Sequence, residues 1–160
     1  MKTATITEIK KELSQVPAKD LVEMCLRMAK FKKENKELLT FLLFEADNLQ
    51  QYIDSVKTFL DEEFLGLKYH NLYLSKKVLR RILRITNKHI KYTGSKPAEI
   101  ELLLYFCKKS VETGVPVQRS VQLGNMYATL MKKIRVAIEL QHEDLQYDYQ
   151  RSFDALAKEL

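Results

Sequence analysis

At 160 residues the chain has the length of one ordinary domain, and a chain of that size buries roughly 70% of its unfolded surface, so it needs no disulfide or metal to hold a core. Its 46% apolar and 30% charged residues exclude a low-complexity chain, and 4 Gly with 3 Pro are too few for a protein of many strands and turns. The net charge of +6 is confined to one third of the chain: residues 1–63 carry 10 basic and 12 acidic side chains, 64–98 carry 9 basic and none acidic, and 99–160 carry 8 basic and 9 acidic. That asymmetry is the main functional hint.

Nearly every segment has helical period. Thr5-x-x-Glu8 has the form of a capping box and opens a first helix through about Ser14. Pro17 suits the first turn of a second helix, where its missing N–H is not needed. There Leu21, Met24, Cys25 and Met28 recur at three and four, which predicts one buried stripe. Residues 35–46 form a third helix, apolar on most sides, with "LLTFLLF" (38–44) read as buried core. Residues 47–65 follow, with Asp47 as a candidate cap and Gly66 as the stop; the alternative is that the third and fourth segments form one bent helix. A basic helix spans about 71–92, with Gly94 supplying a left-handed C-cap. Pro97 starts the next helix, and Glu99 and Glu101 in its first turn suit the positive end of the dipole. After Gly114 and "VPVQRS", a last helical stretch starts near Ser120. Without Gly or Pro after 124 it can run to the end or kink near "QHED", 141–144. One unbroken helix there would be about 60 Å long. Its end would project and favour self-association.

These elements predict a single all-α domain over 1–160, with six to seven helices in an irregular bundle or a short HEAT-like array. The helix–turn–helix stretches 49–93 and 95–141 have the length of HEAT repeats. "TEIKKELSQVPAKDLVEMCLRMAKFKKENKELLTFLLFEA", "NLYLSKKVLRRILR" and "LQHEDLQYDYQ" together resemble an uncharacterised family of small bacterial proteins. The resemblance covers most of the chain, rests on running text, and implies a cytosolic, all-helical bacterial protein. It transfers no activity, cofactor or site residue.

Catalytic signatures are sparse. Glu139-x-x-His142 is a single copy of a motif that di-iron bundles use in pairs, and His70 and His89 have no Glu three residues earlier. It reads as a surface pair near a helix bend, with Glu45 the one tempting extra carboxylate. Cys25 and Cys107 are too far apart in sequence for structural zinc. They read as buried thiols in a reducing compartment. A dyad of Cys107 with His89 or His142 would need an exposed thiol. The glycines at 66, 94, 114 and 124 never cluster into a phosphate loop, and Gly124 reads as a site of close helix packing. We expect no catalytic residue, cofactor, metal or small-molecule ligand, although an enzyme of unidentified class remains an alternative. The chain lacks both an export signal and ~18 uncharged apolar residues in a row, which points to the cytoplasm.

The strongest feature is the basic helix. With Lys76 at zero and about 100° per residue, Lys76, Arg80, Lys91, Arg84, Lys77, Lys88 and Arg81 fall in order between about 0° and 140°. Ile85, Val78, Ile82, Leu79, Ile90 and Leu83 fall between about 180° and 340°. One face docks on a core and the other is a cationic stripe, with Tyr73 on it and Tyr92 at its edge. Its i,i+4 like-charge pairs, such as Lys76–Arg80 and Arg80–Arg84, each cost about 0.2–0.5 kcal/mol. An anionic partner would relieve them. The candidates are nucleic-acid phosphates, an acidic protein, or acidic stretches of the same chain such as 61–63 and 142–148. A membrane surface is disfavoured because the apolar face is taken. Asn87 is the sole base-reading side chain among the cations, so nucleic-acid binding would be sequence-independent. The reading is thus a non-catalytic binding or scaffold protein with a protein partner or self-association. Its alternative is a nucleic-acid-associated protein using Lys76, Lys77, Arg80, Arg81, Arg84, Lys88, Lys91 and Tyr73.

Overall fold

Local signals in the sequence account for most helix ends in the computed structural model, which describes residues 2–67 and 71–159. Among the described residues the chain is helical throughout and has no strand. It forms eight α-helices, one or two more than expected, because two expected continuities are broken. His70 lies outside the described residues. The chain divides into two compact units, Met1–Phe44 and Glu45–Leu160.

The first unit holds α1 (Ile6–Leu13), α2 (Ala18–Phe31) and α3 (Lys33–Phe44). The capping box is present: Thr5 Oγ1 accepts from the Glu8 N–H, and Glu8 Oε2 accepts from the Thr5 N–H at 2.7 Å. Pro17 is the N-cap of α2 rather than its first residue. Lys32 alone, extended at φ −143°, separates α2 from α3. Asn35 donates to the free Met28 carbonyl at 2.9 Å and ties the corner. α2 and α3 pack on each other as a hairpin.

The burial expected here is not found. Phe41 is the sole buried side chain of these helices. Met24, Cys25 and Met28 are exposed and Leu21 is half-buried. Leu42, Leu43 and Phe44 are exposed too, so "LLTFLLF" is not a core segment. The reason is geometric. Two helices cover one stripe of each other, and these carry apolar residues over a wider arc than one neighbour can bury.

The second unit holds α4 (Leu49–Leu65), α5 (Leu72–Thr93), α6 (Lys96–Glu112), α7 (Val121–Glu139) and α8 (Glu143–Glu159). A 3-10 turn at Ala46–Asn48 makes α3 and α4 separate helices, and Asn48 rather than Asp47 caps α4, accepting from the Gln51 N–H. Asn71, Ser95 and Ser120 cap α5, α6 and α7 in the same way. Gly94 ends α5 at φ 58°, the left-handed conformation that a side chain disfavours. α6 is the central helix and packs against α4, α5, α7 and α8. Leu102, Leu103 and Phe106 on it are fully buried with Leu60, Leu79, Ile82, Leu123 and Ile134. Phe106 lies between the rings of Phe64 and Tyr127.

Of the two courses open to the last stretch, the structure takes the kink near 141–144 and not the projecting helix: the chain breaks at Leu140–His142, and α8 folds back onto α6 and α7 through Phe153 and Leu156. Neither Gly nor Pro makes the break. Gln146 Nε2 donates to the carbonyls of Glu139 and Gln141, and Gln141 Nε2 to that of Ala137, so amide side chains satisfy the orphaned helix end. Gly124 is not a close-packing site, since a Cβ there would meet nothing within 4 Å.

Candidate anionic-partner surface on α5

α5 owes its orientation to its polarity. Ser75, Leu79, Ile82, Thr86 and Ile90 are its buried residues, centred about 180° from the middle of the cationic stripe. Two of these are polar, which the apolar pattern alone did not reveal. Thr86 is accommodated because its hydroxyl donates to the Ile82 carbonyl at 2.9 Å.

The stripe itself faces outward. Lys77, Arg80, Arg81, Arg84 and Lys91 are exposed, and Lys76 and Lys88 are partly so. Tyr73 is 73% exposed beside them. Arg81 is paired with Glu63 of α4 at the edge of the stripe. Among the described residues no ion pair engages Lys76, Lys77, Arg80, Arg84 or Lys91. Of the acidic stretches that might have covered them, 61–63 reaches the stripe only through Glu63 on Arg81, while Asp61 accepts from Tyr105 at 2.6 Å and pairs with Lys109 at 3.1 Å. In 142–148, His142 and Asp144 approach each other at 3.5 Å.

Tyr73, Lys76, Lys77, Arg80, Arg84 and Gln122 line a groove of about 240 Å3. Gln122 is the member that the sequence did not single out. It comes from α7 and accepts from Lys76 Nζ at 3.3 Å and Arg80 Nη2 at 3.5 Å. No spacing rule links it to α5, and only packing brings it there. Its one carbonyl oxygen serves two cations, which leaves their remaining donors directed at solvent. Asn87, the candidate base reader, donates to the Leu83 carbonyl at 3.0 Å and is turned back on its own helix.

The catalytic candidates are dispersed or inert. Cys107 is fully buried and burial pushes its thiol up to about 12, so it is a protonated, unreactive thiol at neutral pH. Cys25 is exposed, contrary to expectation, and both cysteines are free. His89 sits against the rings of Tyr52, Phe59 and Tyr92, with its Nδ1 2.7 Å from the Tyr52 hydroxyl. Glu139 ends α7 and His142 lies in the break beyond it, both on the surface. Among the described residues no three His, Cys, Asp or Glu gather as a metal site. A larger groove of about 420 Å3 lies beside Tyr105 and Tyr149, and within its lining Lys57 and Glu101 are paired at 3.0 Å. Burial and the Glu101 carboxylate together raise the Tyr149 phenol. Among the described residues no helix is long and apolar enough to cross a membrane. Compared with protein-family models, curated proteins and solved structures, the chain has no match.

Proposed function

We propose that this is a non-catalytic binding protein whose working surface is the cationic face of α5, and that the partner is nucleic acid held by its phosphates. The observation that carries the reading is the uncovered stripe: five exposed or half-exposed cations without an ion pair among the described residues, on a helix whose other half is committed to the core. Like-charge ladders of this kind are stabilised by an anionic ligand. With the Asn87 amide bonded to its own helix, recognition is of backbone rather than of base edges. Tyr73 offers one exposed ring for stacking. The frame is read as an irregular bundle rather than a HEAT-like array, supported by the four helices around α6. A cytoplasmic location is supported by the two free thiols.

The test is binding of labelled mixed-sequence DNA and RNA to the full chain at 50 and 200 mM salt. Four or five phosphate contacts predict that affinity falls on the order of a hundredfold between them. Arg80→Glu/Arg84→Glu, both exposed, should abolish the interaction without changing helicity. Absence of binding at 50 mM, or binding that ignores the double substitution, overturns the reading. An acidic protein as the true partner would give the first of these outcomes.

A further inference from the structure

Phosphates are common to single strands and duplexes, so the cations of α5 do not choose between them. The ring beside them does. Tyr73 stands at about 60° around α5, in the middle of the cationic arc and not at its edge. It is 73% exposed, and among the described residues neither its ring nor its hydroxyl has a partner. The other rings near α5 are engaged: Tyr92 packs on His89 and lies under Lys88, and Tyr52 meets His89.

Tyr73 is also one wall of the groove shared by α5 and α7, with Lys76, Lys77, Arg80 and Arg84 as its cations. Lys76 and Lys77 lie one turn along the helix from Tyr73, a rise of about 5–6 Å. The Gln122 carbonyl accepts from both Lys76 and Arg80 and holds these two cations together. Its amide nitrogen donates to no described residue. Donors for a phosphate therefore stand next to an unengaged aromatic face. The groove encloses about 240 Å3, and cavities of about 150 Å3 accept a benzene ring, so one nucleobase fits.

Resting on the nucleic-acid reading of α5, we infer that the partner is single-stranded, with one nucleotide seated in this groove. Its phosphate lies among Lys76, Lys77 and Arg80, and its base stacks on Tyr73. A duplex keeps its bases stacked on one another and presents backbone and groove edges, which leaves an aromatic face on the protein without a counterpart. A single strand turns its bases out, and aromatic rings interleaved with cations are the surface that holds them. Stacking accepts any base, which agrees with a stripe whose Asn87 amide is bonded to its own helix.

The experiment uses the full chain and a labelled DNA strand of about 16 nucleotides without self-complementarity, alone and annealed to its complement. Wild type should bind the single strand more tightly than the duplex at 50 mM salt. Tyr73→Ala should lower single-strand affinity about tenfold and duplex affinity less than about twofold, and Tyr73→Phe should restore the single-strand value. The salt dependence should be unchanged by Tyr73→Ala, because the ring displaces no counterion. Tyr147 on α8 is as exposed, at 77%, and lies outside the groove, so Tyr147→Ala should change neither affinity. Circular dichroism checks that the helices persist in each variant. Tighter binding of the duplex, or a Tyr73→Ala effect that is absent or equal for both forms, overturns the single-strand inference and leaves the phosphate-binding reading standing. Absence of binding to both forms overturns the two together.

Discussion

α3 and α6 are both apolar on most sides, and they lie in opposite surroundings. α6 has four helices around it and buries Leu102, Leu103, Phe106 and Cys107 completely. α3 has one neighbour and buries Phe41. Their sequences differ less than their environments do. Hydrophobicity states how much cover a helix requires. The number of elements in its unit states how much it receives. α6 belongs to a unit of five helices that can surround it, whereas α3 belongs to a hairpin with a short leading helix.

The sharpest test of this contrast is thiol reactivity. At sub-micromolar protein, Cys25 should react with a disulfide reagent on mixing, and Cys107 at a rate on the order of a thousandfold slower, limited by opening of the core. Two fast thiols per chain would mean that α6 is not buried. Next in size is truncation. Phe106→Ala should cost about 3–5 kcal/mol in urea unfolding, and Leu43→Ala less than about 1 kcal/mol under the same dilute conditions. Similar costs would erase the distinction between the helices.

A smaller effect concerns the one carboxylate buried at the start of α6. Glu99 is bridged by Lys96 at 2.7 Å and Lys133 at 2.8 Å. Burial acts to raise this carboxyl, but the hydrogen bonds from Lys133 and Lys96 outweigh it and hold the group below its ordinary value of 4.5. A group depressed in the folded state contributes fully above its unfolded value, and the contribution is lost as pH falls through the folded one. Wild type should therefore lose stability as pH drops below 4.5, and Glu99→Gln should lose less. At pH 7 the variant should be less stable by about 1–3 kcal/mol. Parallel stability curves between pH 5 and 3 would show that Glu99 is not the acid-sensitive group. The smallest effect is at α1, where Thr5→Ala should cost about 0.5–1 kcal/mol, read as fraying of that helix alone.

Much of the fold was legible because helix ends are written locally. Thr5 with Glu8, Gly94, and Pro97 in the first turn of α6 mark boundaries by the backbone groups they satisfy or cannot supply. The orientation of α5 was legible for a similar reason, since its charged and apolar arcs do not overlap. Long-range satisfaction was not legible. The kink near 141–144 was one of two courses open from sequence, but what satisfies it was not legible: Gln146 reaches the carbonyls of Glu139 and Gln141, and no composition rule marks that. Nor could period show that α2 and α3 lack cover, because period reports which side of a helix is apolar and not what stands opposite. At the candidate site the cations were found from sequence. Glu63 on Arg81 and Gln122 between Lys76 and Arg80 required the packed chain.

The left-handed turn at Gly94 and the buried arc of α5 have a consequence for the cationic stripe. An excised 72–93 peptide would carry the same seven charges, and their repulsion would unwind it. In the folded chain the core holds that helix wound, with successive i,i+4 cations about 6 Å apart along a straight axis. Anions that meet it encounter a ruler rather than a brush, and the conformational freedom a flexible basic tail would surrender on contact has already been removed by folding.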